Sequence, residues 1–164
     1  MHSFDITSTV DLQEVDNAVN QTRKEVGQRY DFKGSHVSIE FDRSSGALTL
    51  VADDEFKMQA LWDVFQTRLV RRGVPTKNVK AGKIEDAANS TVRRCVTLQL
   101  GVPSENAKAI AKFVKERKIK KVQASIQADQ VRISSPSKND LQTIMQLLRE
   151  QDFDIELQFG NYRD

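Results

Sequence analysis

The sequence predicts an α+β fold made of two tandem ferredoxin-like units. Apolar residues alternate with polar ones in short runs, which is typical of half-buried strands, and recur at helical spacing in longer runs. The order strand, helix, strand, strand, helix, strand occurs twice, with antiparallel sheets and two helices on one face of each. Units of about 80 residues are near the lower limit of independent stability, so we expect them to stabilise each other.

The first repeat is predicted over residues 1–88. Phe4 and Ile6 lie on a strand, and Asp11 is placed to cap the following helix, with Glu14 reaching back as in a capping box. Alternating runs at 37–41 and 48–50 form a hairpin, a second helix follows the pair at 53–54, and a short strand is expected at 78–84.

The second repeat is predicted over residues 89–164. A strand at 96–100 precedes a helix that starts at 103–105, and a hairpin turns at 128–130. Ser137 caps the last helix, and alternation at 155–159 predicts the closing strand. The small polar residues at 85–91 are interpreted as the linker between the repeats.

Charge and composition indicate a cytoplasmic protein. The 164 residues include 25 Lys and Arg against 23 Asp and Glu, for a net charge of +2. This balance argues against a basic surface for long nucleic acid. One cysteine allows no intrachain disulfide, and the sequence shows neither a signal peptide nor an apolar run of membrane-spanning length.

Motifs for catalysis, metals and cofactors are not found in the sequence. The glycines form no phosphate-binding loop, and His2 and His36 lack partners at metal-ligand spacing. Cys95 has no nameable base and is interpreted as a packing residue. The prediction is therefore a protein that is not an enzyme and holds no cofactor.

Two segments are candidates for binding. In residues 28–34, Arg29 and Lys33 can hold phosphate and Tyr30 or Phe32 can stack on a base. The alternative is that both aromatic side chains pack on the core and the charges are solvated. Five cations crowd residues 115–121, which the dipole at the end of a helix also explains. The predicted open sheet faces carry no aromatic residues, which disfavours ordinary RNA-recognition behaviour.

Several separated segments resemble the YajQ family of small bacterial proteins. They lie at residues 3–6, 17–21, 29–34, 122–132, 140–142 and 157–164, in the same order and over the whole chain. The resemblance implies that the units exchange their first strands, so that strand 3–9 completes the second unit and strand 93–100 the first. It also implies non-enzymatic nucleotide binding, with GTP, cyclic di-GMP or transfer RNA as ligands and a transcription regulator as a partner.

The predicted nucleotide site lies at the seam between the units, near the paired termini. Its candidate residues are Phe4, Asp5, Arg29, Phe32, Lys33, Arg132, Asn161 and Arg163. Family members often carry a basic run before the last helix, whereas residues 134–138 here have lost most of that charge. An RNA-associated protein and a protein–protein adaptor with incidental nucleotide binding are the alternative functions.

Overall fold

The computed structural model describes all 164 residues as eight strands and four helices. In chain order these are β1 (His2–Thr7), α1 (Leu12–Gln28), β2 (Ser38–Asp42), β3 (Ala47–Ala52), α2 (Glu55–Arg71), β4 (Val79–Asp86), β5 (Val92–Leu98), α3 (Ser104–Glu116), β6 (Gln123–Gln127), β7 (Gln130–Ser135), α4 (Lys138–Glu150) and β8 (Gln158–Arg163). None of the helices has the length and apolar character needed to cross a bilayer.

The strands form two antiparallel sheets, ordered β6-β7-β1-β8 and β2-β3-β5-β4. The chain divides into a continuous unit, Val10–Gln99, and a split unit made of Met1–Thr9 and Leu100–Asp164. β1 lies between β7 and β8, and β5 lies between β3 and β4. The tandem ferredoxin-like fold and the exchange of first strands are thus confirmed.

Register places the apolar residues of the split unit on one sheet face. Phe4 lies opposite Ile133, and Ile6 lies opposite Val131 on one side and Phe159 on the other. Because side chains alternate across a strand, these residues all face α3 and α4. Their core partners from the two helices are Ala107, Ile110, Val114, Leu141, Ile144 and Leu148.

The core of the continuous unit follows the predicted helical stripes. The Asp11 carboxylate accepts from the backbone N–H groups of Gln13 and Glu14, as expected of a helix cap. The Glu14 carboxylate does not reach back to complete a capping box. It accepts from Asn17 and lies 3.0 Å from Arg72, the C-cap residue of α2, because α1 packs beside α2. The buried α1 stripe is Val15, Ala18, Val19 and Thr22.

Two predicted boundaries differ from the structure. β4 continues to Asp86 and pairs with β5, so residues 87–91 close a hairpin within one sheet, and the segment 85–91 is not a linker between two units. This follows from the strand exchange, which puts β5 in the same sheet as β4. The last strand starts at Gln158, later than predicted, and Ile155 is buried in the core without belonging to a strand. The alternation at 155–159 therefore reflects burial more than pairing.

Candidate functional site

The structure separates the predicted site residues into two groups. Arg29, Phe32 and Lys33 lie together in the continuous unit, and the other five residues lie in the split unit. Each group is assembled by its own sheet and helices. A single site composed of both groups stays a prediction.

The segment between α1 and β2 folds as a tight turn. α1 ends at Gln28, and Tyr30–Phe32 forms one turn of 3-10 helix. The Lys33 N–H donates to the Tyr30 carbonyl, and the Ser35 N–H donates to the Phe32 carbonyl. Gly34, with φ of 76°, adopts the left-handed conformation that lets the chain turn toward β2.

The two aromatic residues of this turn have different environments. Phe32 is 4% exposed and belongs to the core of the continuous unit. The Arg29 guanidinium lies 5.3 Å from its ring centroid and the Lys57 ammonium 5.5 Å, while Lys57 also donates to the Asp31 carbonyl oxygen. Tyr30 is 88% exposed. Phe32 therefore anchors the turn, and Tyr30 is the ring that is free to stack.

The two candidate cations also differ. Arg29 donates to Asp31 at 2.8 Å and lies 3.5 Å from Glu25. Donation to the Asp31 carboxylate raises the pKa of Arg29, and acceptance of the same hydrogen bonds lowers the pKa of Asp31. Lys33 makes no ion pair and is exposed. The charge of Arg29 is thus already compensated, whereas that of Lys33 is available to a ligand.

A cavity of about 540 Å³ opens beside this turn. We call it the loop cavity; it is lined by Arg23, Val26, Gly27, Gln28, Arg29, Tyr30, Phe32, Lys33, Gly34, Ser35, Val37, Ser38, Ile39 and Leu61. Sequence reasoning missed Arg23, whose guanidinium donates to the Ile39 carbonyl and lies 3.9 Å from Glu40. Arg23 lies four residues, about one helical turn, before Gly27 near the end of α1. That spacing is the sequence signal that places Arg23 beside the turn.

In the split unit, Asp5 is the centre of a polar cluster. It is 4% exposed, accepts from Arg132 Nε at 2.9 Å through Oδ1, and accepts from Asn161 Nδ2 at 2.5 Å through Oδ2. The hydrogen bond from Arg132 is the main cause that lowers the pKa of Asp5; Asn161 and the charge of Arg163 act in the same direction, and burial opposes them. The cluster ties β1 to both neighbouring strands.

Phe4 lies on the opposite face of β1, toward the helices. Its ring centroid is 5.8 Å from that of Phe159 and 6.4 Å from that of Tyr162. The cleft beside it, which Arg163 also lines, measures only about 50 Å³. Phe4 is a core residue, and this cleft is too small to enclose a nucleotide, since ligand pockets typically measure roughly 300–1,000 Å³.

Acidic and His side chains meet only in pairs, such as His2 with Asp164 and His36 with Asp53, each at 3.3 Å. No group of three or more could hold a metal ion. Cys95 lies exposed on β5, so its interpretation as a packing residue is wrong: its side chain is on the face of the strand opposite the core residue Val96.

A family model described as "nucleotide-binding protein YajQ-like" matches residues 2–163. The chain belongs to this family. Relatives of the YajQ-like chain include a nucleotide-binding protein of Geobacter sp. strain M21, 47% identical over 163 residues, with 99% of each chain covered. Nucleotide-binding proteins of Trichlorobacter lovleyi and Heliobacterium modesticaldum are 48% identical over 164 residues and 50% over 161. The match to the Trichlorobacter lovleyi protein covers 100% of both chains. The match to the Heliobacterium modesticaldum protein covers 98% of this chain and 96% of the relative.

The segment at 134–138 of this YajQ-like chain serves local structure. Ser135 is buried and its hydroxyl accepts from the Ser137 N–H, while the Ser137 hydroxyl accepts from the Asp140 N–H and caps α4. Lys138 is the only cation in the segment. The hydroxyl groups of Ser135 and Ser137 stabilise the start of α4. With one cation, the segment contributes little positive charge toward an anion.

Proposed function

We propose that this YajQ-like chain binds a guanine nucleotide without transforming it, and that the loop cavity receives the nucleotide. The family is described as nucleotide-binding, and its curated relatives carry that name. GTP and cyclic di-GMP are the first ligands to test, because the family resemblance implies them. If cyclic di-GMP is the ligand, the proposed role is that of an effector that acts on a transcription regulator.

The size and chemistry of the loop cavity support the proposal. Its volume of about 540 Å³ lies within the usual range for small-molecule sites. Apolar side chains such as Val26, Val37 and Leu61 form part of the wall, and polar groups from Gln28 and Ser35 form another part. A mixed lining of this kind suits a base and a sugar together.

The observation that carries the proposal is the pairing of a free cation with a free aromatic ring. Lys33 makes no ion pair, and Tyr30, three residues earlier, is 88% exposed. An ammonium is a phosphate ligand, and an exposed ring can stack on a base. Burying Phe32 below the turn keeps both neighbours at the cavity wall.

The lining also favours binding over catalysis. It contains no Asp, Glu, His or Cys side chain. Those residue types supply most general bases and nucleophiles. The hydroxyl groups of Ser35 and Ser38 have no such base beside them within the lining.

Isothermal titration with GTP, cyclic di-GMP and ATP tests the proposal. We expect saturable binding of at least one guanine nucleotide and weaker binding of ATP. Lys33→Ala is expected to weaken binding about tenfold, since one charge-assisted contact contributes roughly 1.5–3 kcal/mol. Tyr30→Ala is expected to weaken it by a similar factor through loss of stacking, worth about 1–3 kcal/mol. Lys83→Ala, at an exposed lysine of β4, is the matched control.

There are two alternative functions. One is binding of transfer RNA, and the other is binding of a protein partner with nucleotide binding incidental. RNA held through several phosphates would lose affinity steeply as salt rises, whereas one nucleotide gives a shallow dependence. Binding of transfer RNA with a steep salt dependence, and of neither guanine nucleotide, would replace the proposal. Unchanged nucleotide affinity in both Lys33→Ala and Tyr30→Ala would move the site away from the loop cavity.

A further inference from the structure

The four edge strands of the two sheets are not equally protected against pairing with another chain. β2, β4 and β8 each contain charged residues, and the pairings of β4 and β8 also contain a register shift. β6, Gln123–Gln127, contains no charged residue and no proline, and its pairing with β7 is regular. Charges, prolines and bulges are the usual means of blocking an edge strand.

The contrast is sharpest with β2, which occupies the same position in the continuous unit. There the Arg23 guanidinium donates to the Ile39 carbonyl, and Glu40 and Asp42 place carboxylates along the strand. No equivalent side chain donates to β6, where four of the five residues are exposed. Ile126 is 46% exposed, which is high for an apolar residue in a sheet.

The backbone of β6 offers a regular set of hydrogen-bonding groups. It pairs only with β7, and Gln127 lies opposite Gln130 across the turn formed by Ala128 and Asp129. In a hairpin with a two-residue turn, the closing residues are hydrogen-bonded to each other and alternate residues direct their backbone groups outward. The N–H and C=O groups of Ala124 and Ile126 are therefore directed toward the open edge.

Unpaired lysines precede this edge in the chain. We call them the lysine cluster: Lys115, Lys118, Lys120 and Lys121. None makes an ion pair, and the one carboxylate among them, on Glu116, lies 3.9 Å from Lys112. α3 ends at Glu116, so Lys118, Lys120 and Lys121 lie beyond the helix. Because the effect of the helix dipole falls off within about one turn, it explains Lys115 and Lys118 better than Lys120 and Lys121.

Two of these lysines occupy conformations that favour glycine. Lys118 and Lys121 have φ of 54° and 63°, in the left-handed region. A residue with a Cβ atom is disfavoured there by roughly 1–2 kcal/mol. Gly73, which follows the C-cap of α2, adopts the same region. Lysine therefore occupies two positions at which glycine would relieve backbone strain.

We propose that β6 accepts an extended, acidic segment of a partner protein as an additional strand, with the carboxylates of that segment meeting the lysine cluster. Main-chain hydrogen bonds to an open edge provide affinity in this mode, and flanking charges select the partner. Neither the lysine cluster nor β6 contains an aromatic or Arg side chain on which a base could stack. The guanidinium of Arg117, which lies between Lys115 and Lys118 in the chain, is 4.5 Å from the Phe113 ring centroid. That favours an acidic peptide over a nucleic acid. This surface shares no residue with the loop cavity.

A defined probe tests this proposal: the blocked peptide Thr-Val-Thr-Val-Thr-Glu-Glu-Glu, its order-reversed form, and a form with Lys in place of Glu. We expect one of the two acidic forms to bind to the full chain and to slow hydrogen exchange at the amides of Ala124 and Ile126. The preferred form reports the strand direction, because antiparallel pairing places the peptide's C-terminal end beside the start of β6. The Lys form is expected to bind at least about tenfold more weakly.

Two variants separate the backbone from the charge contribution. Ile126→Pro removes an outward N–H without removing a bond to β7, and is expected to abolish protection at the edge. Lys120→Glu with Lys121→Glu is expected to weaken binding about tenfold, whereas Lys108→Glu on α3 leaves it unchanged. The same acidic peptide, N-methylated at alternate residues, is expected not to bind, and this control does not depend on how the variants fold.

Three outcomes would overturn the proposal. Equal binding of the N-methylated peptide would show that strand addition is not involved. Protection of Ala124 and Ile126 in the free protein, together with a dimeric mass in sedimentation, would show that a second copy of the chain occupies the edge. Competition of the acidic peptide by transfer RNA, with no change in β6 exchange, would reassign the lysine cluster to nucleic acid.

Discussion

Asp5 of β1 lies directly opposite Arg132 of β7, and Arg132 Nε donates to Asp5 Oδ1 at 2.9 Å. The two residues are 127 positions apart in the sequence. The ion pair is largely buried on the Asp5 side, where 5% of the side chain is exposed. It therefore fixes the exchanged first strand to the second half of the chain.

Replacing Asp5 with Asn is expected to lower the free energy of unfolding by about 2 kcal/mol at neutral pH, the value of a hydrogen bond to a charged group. The pKa of Asp5 is lower in the folded state than the ordinary 3.8. Its contribution is therefore complete above that value and is lost as pH falls through the folded pKa. Urea unfolding of wild type and variant, measured at several pH values from about 7 to about 3, gives the comparison.

The stability difference between wild type and Asp5→Asn should shrink as the pH falls below about 4. Asp63→Asn, at an exposed carboxylate on α2, is the control and should change little at any pH. A difference for Asp5→Asn that stays constant to the lowest pH would mean that the carboxylate charge does not hold β1.

Gly101→Ala is expected to destabilise the protein by about 2–4 kcal/mol, combining left-handed strain with overpacking. Gly101 has φ of 87°, and a Cβ atom there would lie 2.7 Å from both Cβ and Oδ2 of Asp129. Gly27→Ala is the matched substitution, because its Cβ meets nothing within 4 Å and the site is helical. We expect that variant to gain about 0.5–1 kcal/mol.

Thermal unfolding of the two glycine variants gives the comparison. Opposite shifts of the midpoint are expected. A Gly101→Ala protein as stable as wild type would show that Asp129 and the chain around it move aside at no cost.

Substitutions of Phe32 and Tyr30 are expected to separate effects on the free energy of unfolding from effects on nucleotide affinity. Phe32→Ala should lower the free energy of unfolding by about 3–5 kcal/mol, because it empties a core position. Tyr30→Ala should change it by no more than about 0.5 kcal/mol, since the side chain is 88% exposed. Urea denaturation measures both. A large loss of stability in Tyr30→Ala would mean that its effect on nucleotide affinity does not report stacking.

The segment Val10–Gln99 is expected to fold when produced alone, because it contains every strand of one sheet and both of its helices. A segment ending at residue 88 has a similar length but lacks β5, the inner strand between β3 and β4. We expect cooperative thermal unfolding and dispersed amide resonances from residues 10–99, and neither from residues 1–88. Cooperative folding of the shorter segment would contradict the importance of the exchanged strand.

Local features of the fold are predictable from the sequence. The caps at Asp11 and Ser137 and the buried stripe at Leu61, Val64 and Phe65 depend on residues within a few positions of one another. Helical and strand periodicity report such short-range relations directly. The same holds for the repeated order of elements. The exchange of strands is a long-range relation, and only the family resemblance implied it.

The candidate site is less predictable for the same reason. Tyr30 and Phe32 are both aromatic residues of one turn, and the single 3-10 turn that buries Phe32 leaves no periodic signal. Arg29 and Lys33 look equivalent in the sequence, but Glu25 and Asp31 compensate only Arg29. The bond from Asn161 to Asp5 joins residues 156 positions apart. Tertiary contacts decide which of these side chains are available.

The exchanged first strand has a consequence for the order of events on the ribosome. β1 is synthesised before every other element, but its neighbours β7 and β8 come from the last part of the chain. Domains generally fold as units during synthesis, so residues 10–99 can be complete while β1 still has no strand to pair with. Phe4 and Ile6 then stay exposed until the C-terminal segment emerges. A nascent chain stalled before β7 should therefore offer a short apolar strand near its N-terminus to chaperones.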